Sequence, residues 1–183
     1  MISFSARIIK QIVHGCISAP KIKPNKTVGI HFRCWPIDID AFLHMNNSKY
    51  LQVAELARWR TLPASSMMSR VFTKEGLLFL AVENHIQYIR PIQPFQKYVV
   101  STSVSFDPID DKWLNYKHVF HQETENNIDS DSLSSGKTFA IVDLKAVVKE
   151  NNGRTIKPST LVKNSKFFKD WVSVEGKIKL TAE

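Results

Sequence analysis

Apolar and polar residues alternate most cleanly at residues 27–35, where Val28, Ile30, Phe32 and Cys34 interleave with Gly29, His31 and Arg33. A period of two predicts a strand with one buried face, and Pro36 ends it. Residues 48–62 carry a different pattern. Lys49, Gln52, Glu55 and Arg58 recur every third position, while Tyr50, Leu51, Val53, Ala54, Leu56, Ala57 and Trp59 fill the rest. A helix with one narrow polar stripe and apolar residues elsewhere must be surrounded by protein. Asn46 and Asn47 precede it as candidate caps, and Pro63 follows it.

The rest is strand-like. Residues 77–89 pass from a continuous apolar run to alternation and stop at Arg90 and Pro91. Tyr98, Val100, Thr102, Val104 and Phe106 alternate through residues 97–106, and 113–122 follow a turn at 107–111. A further strand is predicted at 137–149, ended by Asn151, Asn152 and Gly153, whereas 123–136 are too polar to pack and read as an exposed loop. Residues 63–74 and 159–174 are candidates for two further helices, the second capped by Ser159. The order is one strand, a long buried helix, then four strands. It predicts an α+β domain: an antiparallel sheet of five to six strands, paired in sequence through short turns, wrapped around a long central helix.

Composition adds limits. A chain of 183 residues with 43% hydrophobic and 23% charged residues suits one globular core. No run is apolar and long enough to cross a membrane as a helix. Cys16 and Cys34 have no metal-ligand spacing and make no disulfide framework, so both are expected as small, at least half-buried side chains in a reducing, cytoplasmic setting. The net charge of +8 is carried by the flanks, since residues 1–37 hold six Lys/Arg and no acid. No run interleaves several aromatics with Arg and Lys, so nucleic acid is not an expected partner. Residues 1–26 form a basic segment ahead of the folded domain at 27–183. Residues 1–13 have the composition of an organelle presequence, but they are short and hold one Arg. A short amphipathic helix that packs on the domain or touches a membrane surface is the favoured reading.

Candidate chemistry concentrates in residues 35–50, where Asp38, Asp40, His44, Asn46 and Asn47 precede the buried helix. Free backbone N–H groups and the positive end of the helix dipole can polarise a carbonyl there. A carboxylate in the same loop can attack that carbonyl or deprotonate a water. His85, His118 and His121 lie on strand patterns without metal spacing, and neither a metal nor another cofactor is expected.

The run from Asp40 through His44, Met45, Asn46 and Asn47 to Tyr50 resembles the Asp-x-x-x-His-(Val/Met)-Asn-Asn-x-x-Tyr pattern of the hydroxybenzoyl-CoA-type hotdog thioesterases. It is most similar to the branch of the mammalian thioesterase superfamily member proteins and their bacterial acyl-CoA thioesterase-like relatives. Residues 32–36, 55–58 and 110–113 extend the likeness over about residues 28–165. The resemblance implies the hotdog fold, hydrolysis of acyl-CoA or acyl-carrier thioesters, and a homodimer or dimer of dimers. It implies Asp40 as catalytic carboxylate, with His44 and Asn46 orienting substrate or water. Asn47, Tyr50, Glu55 and Arg90 are the expected substrate contacts. Glu55 is also a rival carboxylate, although an ion pair with Arg58 three residues on is the favoured explanation of it. Many relatives carry Gly where this chain has Leu43, and Leu adopts positive φ only at a cost. A non-catalytic acyl-CoA-binding protein is therefore the alternative function, and a dehydratase on the same fold is a lesser rival.

Overall fold

The computed structural model describes residues 4–18, 27–64, 77–106, 110–123, 136–150 and 152–157. Helix α1 (Phe4–Ser18) leads to strand β1 (Val28–Arg33), a 3-10 turn (Pro36–Asp38) and helix α2 (Asn47–Ala64). Strands β2 (Leu78–Tyr88), β3 (Lys97–Phe106), β4 (Leu114–Gln122), β5 (Thr138–Lys149) and β6 (Thr155–Ile156) follow. The candidate helices beyond residue 64 and at 159–174 lie outside the described residues, as does most of the 123–136 loop. Helix α2 runs through Pro63 to Ala64 instead of stopping before the proline. A proline in the last turn removes one amide donor close to where the ladder ends.

All pairings are antiparallel, in the order β1-β3-β4-β5-β2, with β6 added to β5 beyond Gly153 at φ 84. The expected pairing of successive strands holds from β3 to β6 and fails at β2. Strand β2 pairs with β5, and β1 pairs with β3. The cause is the connection at 89–96, which is a crossover and not a hairpin turn. Its backbone is tied to the start of the chain's core by Met45 N–H to Ile92 O, Cys34 N–H to Gln96 O and Phe95 N–H to Cys34 O, all at 2.8–2.9 Å.

Side chains at alternate positions line the inner sheet face: Tyr98, Val100, Thr102 and Val104 on β3, Leu114, Tyr116, His118 and Phe120 on β4, and Ala140, Val142, Leu144, Ala146 and Val148 on β5. Against them α2 packs Tyr50, Val53, Ala54 and Ala57, and it buries Leu56 as well. The far side of α2 is covered by α1, with Arg60 donating to Gln11 at 3.5 Å. The central helix thus has protein on both sides, as its apolar circumference requires. Strand β2 changes register between Ala81 and Glu83, so Phe79 and Ala81 share the inner face with Asn84, Ile86 and Tyr88. A bulge of this kind turns a continuous apolar run into alternation, the pattern seen at 77–89.

One polar group sits deep in this core. His118 is fully buried; its Nδ1 lies 2.9 Å from Thr102 Oγ1 and its Nε2 3.4 Å from the Arg58 guanidinium, which stacks over Tyr116. Arg58 donates to Nε2, so Nδ1 carries the proton toward Thr102, and the ring is neutral. Burial, and then the Arg58 charge, hold the His118 pKa well below its ordinary value. An unfolded chain takes up a proton near pH 6.5 that the folded chain refuses, so stability is full above that pH and falls below it. We expect urea unfolding to show about 1.4 kcal/mol less stability at about pH 5.5 than at neutral pH from this residue alone. His118→Gln should flatten that difference, and an unchanged pH dependence in the variant contradicts the assignment.

Candidate active site

Two aspartates two residues apart have opposite surroundings. Asp38 is 1% exposed at the end of the 3-10 turn. Its Oδ2 accepts from Trp35 N–H at 3.1 Å, its backbone carbonyl accepts from Asn46 N–H at 2.8 Å, and its own N–H donates to Trp35 O at 2.8 Å. Oδ1 has no hydrogen bond but faces two cations, Arg7 of α1 at 3.7 Å and Lys49 of α2 at 3.8 Å. Uncompensated burial of a carboxylate is costly, and two flanking cations offset that cost. Asp38 therefore joins both ends of the loop and both helices.

Asp40 lies within that loop, half-buried. Its Oδ1 accepts from Phe42 N–H at 2.9 Å, an Asx turn, and sits 3.5 Å from His44 Nδ1. The distance places the histidine beside the carboxylate without a formed hydrogen bond. The backbone closes through Asp40 N–H to His44 O and Leu43 N–H to Asp40 O, both 3.1 Å. This tight turn puts Leu43 at φ 60, the conformation for which a glycine is suited. Leucine adopts it at a cost of about 1–2 kcal/mol. Phe42 and Leu43 are 81% and 71% exposed, so the tip projects outward with the imidazole of His44 stacked on Phe42.

Asn46 is the cap of α2: its Oδ1 accepts from Ser48 N–H at 2.9 Å and Ser48 Oγ at 2.7 Å. Lys49 N–H is bonded to Asn46 O. The Asn47 N–H has no partner among the described residues.

His44, Met45, Asn47, Tyr50, Tyr88, Ile89, Arg90 and Pro91 line a cleft of about 390 Å³ at this point. Tyr50 is its buried wall, and burial pushes its phenol up to about 12. Tyr88 meets Tyr50 edge-on and donates to Asn47 O at 3.3 Å. Arg90 is exposed at the rim and anchored by a 3.1 Å bond to Thr138 O. Of the expected substrate contacts, Asn47, Tyr50 and Arg90 thus come together with His44. Asp40, Asn46 and Glu55 do not line the cleft: Asp40 lies behind its lining residue His44, Asn46 precedes its lining residue Asn47, and Glu55 accepts from Trp59 Nε1 at 3.3 Å two turns further along α2. Tyr88 and Ile89 were not singled out by the sequence pattern, although their place just before Arg90 and Pro91 marks a strand end beside the crossover. Cys34 is buried near the loop, where burial and then Asp38 raise its thiol to about 11, whereas Cys16 is exposed, contrary to expectation, in the last turn of α1.

A second cleft, of about 330 Å³, opens on the outer sheet face among Glu83, Lys117, Asp143 and Lys145. Lys145 and Glu83 pair there at 3.6 Å, as expected of a solvated face. Among the described residues, no group of three or more His, Cys, Asp or Glu could hold a metal ion. No helix of them is long and apolar enough to cross a membrane.

The family profile described as Thioesterase-like superfamily matches residues 34–171, which contain the whole loop and cleft. No curated protein matches the chain. Among solved structures, the probable thioesterase YbaW from Escherichia coli is similar at TM-score 0.64 and 18% identity, over 79% of this chain and 98% of that one. The 1,4-dihydroxy-2-naphthoyl-CoA thioesterase Slr0204 from Synechocystis has TM-score 0.56 and 11% identity, covering 72% and 88%. The gentisyl-coenzyme A thioesterase BH1999 has TM-score 0.55 and 20% identity, covering 74% and 97%. At these identities the likeness speaks for the fold, and the profile match for the family. The chain belongs to the thioesterase-like superfamily and has its hotdog fold.

Proposed function

We propose that this chain hydrolyses acyl thioesters, of coenzyme A or an acyl carrier, in the cleft at the start of α2, with Asp40 as its catalytic carboxylate. The observation that carries this reading is the division of labour between the two aspartates. Asp38 is consumed by structure, whereas Asp40 spends only Oδ1 on the turn and keeps Oδ2 without a hydrogen-bond partner among the described residues. The Asn47 N–H at the helix start is suited to stabilise negative charge on the thioester oxygen. His44, beside Asp40, orients the carboxylate or a water. As a base, Asp40 takes a proton from water, the hydroxide adds to the carbonyl carbon, and the C–S bond breaks to release acid and thiol. As a nucleophile, its oxygen forms an anhydride as the thiol leaves, and water then cleaves that anhydride. The aromatic walls at Tyr50 and Tyr88 suit the acyl group, and Arg90 suits a phosphate of the donor. The solved aromatic acyl-CoA thioesterases of the same fold support the reaction class.

Strand β2 supports a homodimer. It is an eleven-residue strand at the end of the sheet order, with Leu78, Leu80, Val82 and Tyr88 exposed along it and Ile89 exposed just beyond it. An open apolar edge of that length is normally paired or covered. A second copy on this edge also closes the cleft, whose wall is Tyr88 to Pro91.

Thiol release should be measured over short, medium, long and aromatic acyl-CoAs. Asp40→Asn should lower turnover by about 100-fold to 10,000-fold while acyl-CoA still binds. Release of no thiol by the parent protein from any of them, with binding intact, makes it an acyl-CoA-binding protein instead. Light scattering should give twice the monomer mass, falling to the monomer in Leu80→Lys/Val82→Lys; a parent monomer contradicts the dimer.

A further inference from the structure

Helix α1 has two apolar faces, and among the described residues only one is packed. At about 100° per residue, Ile8, Ile12 and the buried Gly15 fall on the side turned to α2. Opposite them lie Ala6, Ile9, Val13 and Ile17, and the three aliphatic side chains are 61%, 52% and 71% exposed. The outer face of a surface helix is ordinarily polar. Here Ile9, Val13 and Ile17 form a stripe at i, i+4 and i+8, with Lys10 and His14 exposed along its flank. The helix contains no acid, and neither does any residue before Asp38, while Lys21, Lys23 and Lys26 follow closely in sequence.

We propose that the outer face of α1 docks the protein onto an anionic lipid surface. The charge selects this occupant. Two copies meeting through this face would set it against itself, Lys10 toward Lys10 with no acid to compensate. A layer of anionic headgroups complements an acid-free basic face at every point, while the aliphatic stripe enters the headgroup boundary and the lysine stems reach back to the phosphates. The helix is already formed and fixed, by Arg7 to Asp38 and by Arg60 to Gln11, so little ordering accompanies docking. Three aliphatic side chains and a few cations give reversible attachment that salt weakens, not a permanent anchor. The inference does not depend on the chemistry proposed for Asp40.

Cys16 provides the readout. It is exposed on α1 next to the stripe, while Cys34 is wholly buried, so a thiol-directed fluorophore reports on α1 alone. The full chain, labelled and unlabelled, is mixed with phosphatidylcholine vesicles with or without about 30% phosphatidylserine. We expect co-sedimentation and a blue-shifted label with the anionic vesicles only, released by high salt. Lys10→Glu should weaken the partition by about tenfold or more. Ile9→Ser/Ile17→Ser should abolish it with an unchanged melting temperature, both residues being exposed. Lack of binding to anionic vesicles, equal binding to neutral ones, or unweakened binding by both variants overturns the proposal. So does a stripe variant whose only change is a smaller mass by light scattering without lipid, which would make this face a contact between copies.

Discussion

A single buried carboxylate holds the working end of this protein together. The Asp38 carboxylate accepts the Trp35 amide in the turn after β1 and attracts cations from both helices, while the main-chain carbonyl of the same residue accepts the Asn46 amide on the approach to α2. Remove its charge and Arg7 and Lys49 lose their common partner, which leaves the main-chain bond from Asn46 to hold the two ends of the loop. The Asp40 carboxylate is then placed by short-range geometry: with both loop ends fixed, its Asx turn and the positive φ of Leu43 bring it beside His44. The strain at Leu43 is tolerated because the surrounding bonds determine the turn more firmly than the residue's own preference does.

The crossover at 89–96 is the other half of the same construction. It carries Tyr88, Ile89 and Arg90 from the end of an edge strand to the mouth of the helix-entry loop, and its backbone bonds to Cys34 and Met45 hold it there. The departure of β2 from sequential pairing is thus what creates the site. Had β2 and β3 formed a hairpin, no chain would pass over the start of α2.

Much of this was legible in the sequence, and the parts that were not have local causes. Period-two alternation located β1, β3, β4 and β5, and the encircling apolar pattern of α2 announced a buried helix, because both patterns follow directly from burial. Pairing order did not follow, since the turn residues around Arg90 and Pro91 look alike in a hairpin and in a crossover. Strand β6, two residues long, has too few positions to show a period. The amphipathic reading of residues 1–13 did not give the direction of the helix, and the structure turns Ile9 and Val13 outward while Ile8 and Ile12 are half-buried. Asp40, His44 and Tyr50 stood out through the resemblance at residues 40–50, whereas Tyr88, almost forty residues downstream, joined them only through the fold. The spacing to His44 in the resemblance already separated Asp40 from Asp38, and what the sequence did not show is their difference in burial.

The division between those two acids is the centre of the account, and equilibrium unfolding of Asp38→Asn and Asp40→Asn side by side tests it most directly. Asparagine at position 40 can still accept the Phe42 amide, so that variant should stay within about 1 kcal/mol of the parent. Asparagine at position 38 strands two partly buried cations, and that variant should lose about 3 kcal/mol. Equal losses, or a larger one for Asp40→Asn, would mean that Asp40 is a structural residue and that the catalytic carboxylate has to be sought elsewhere.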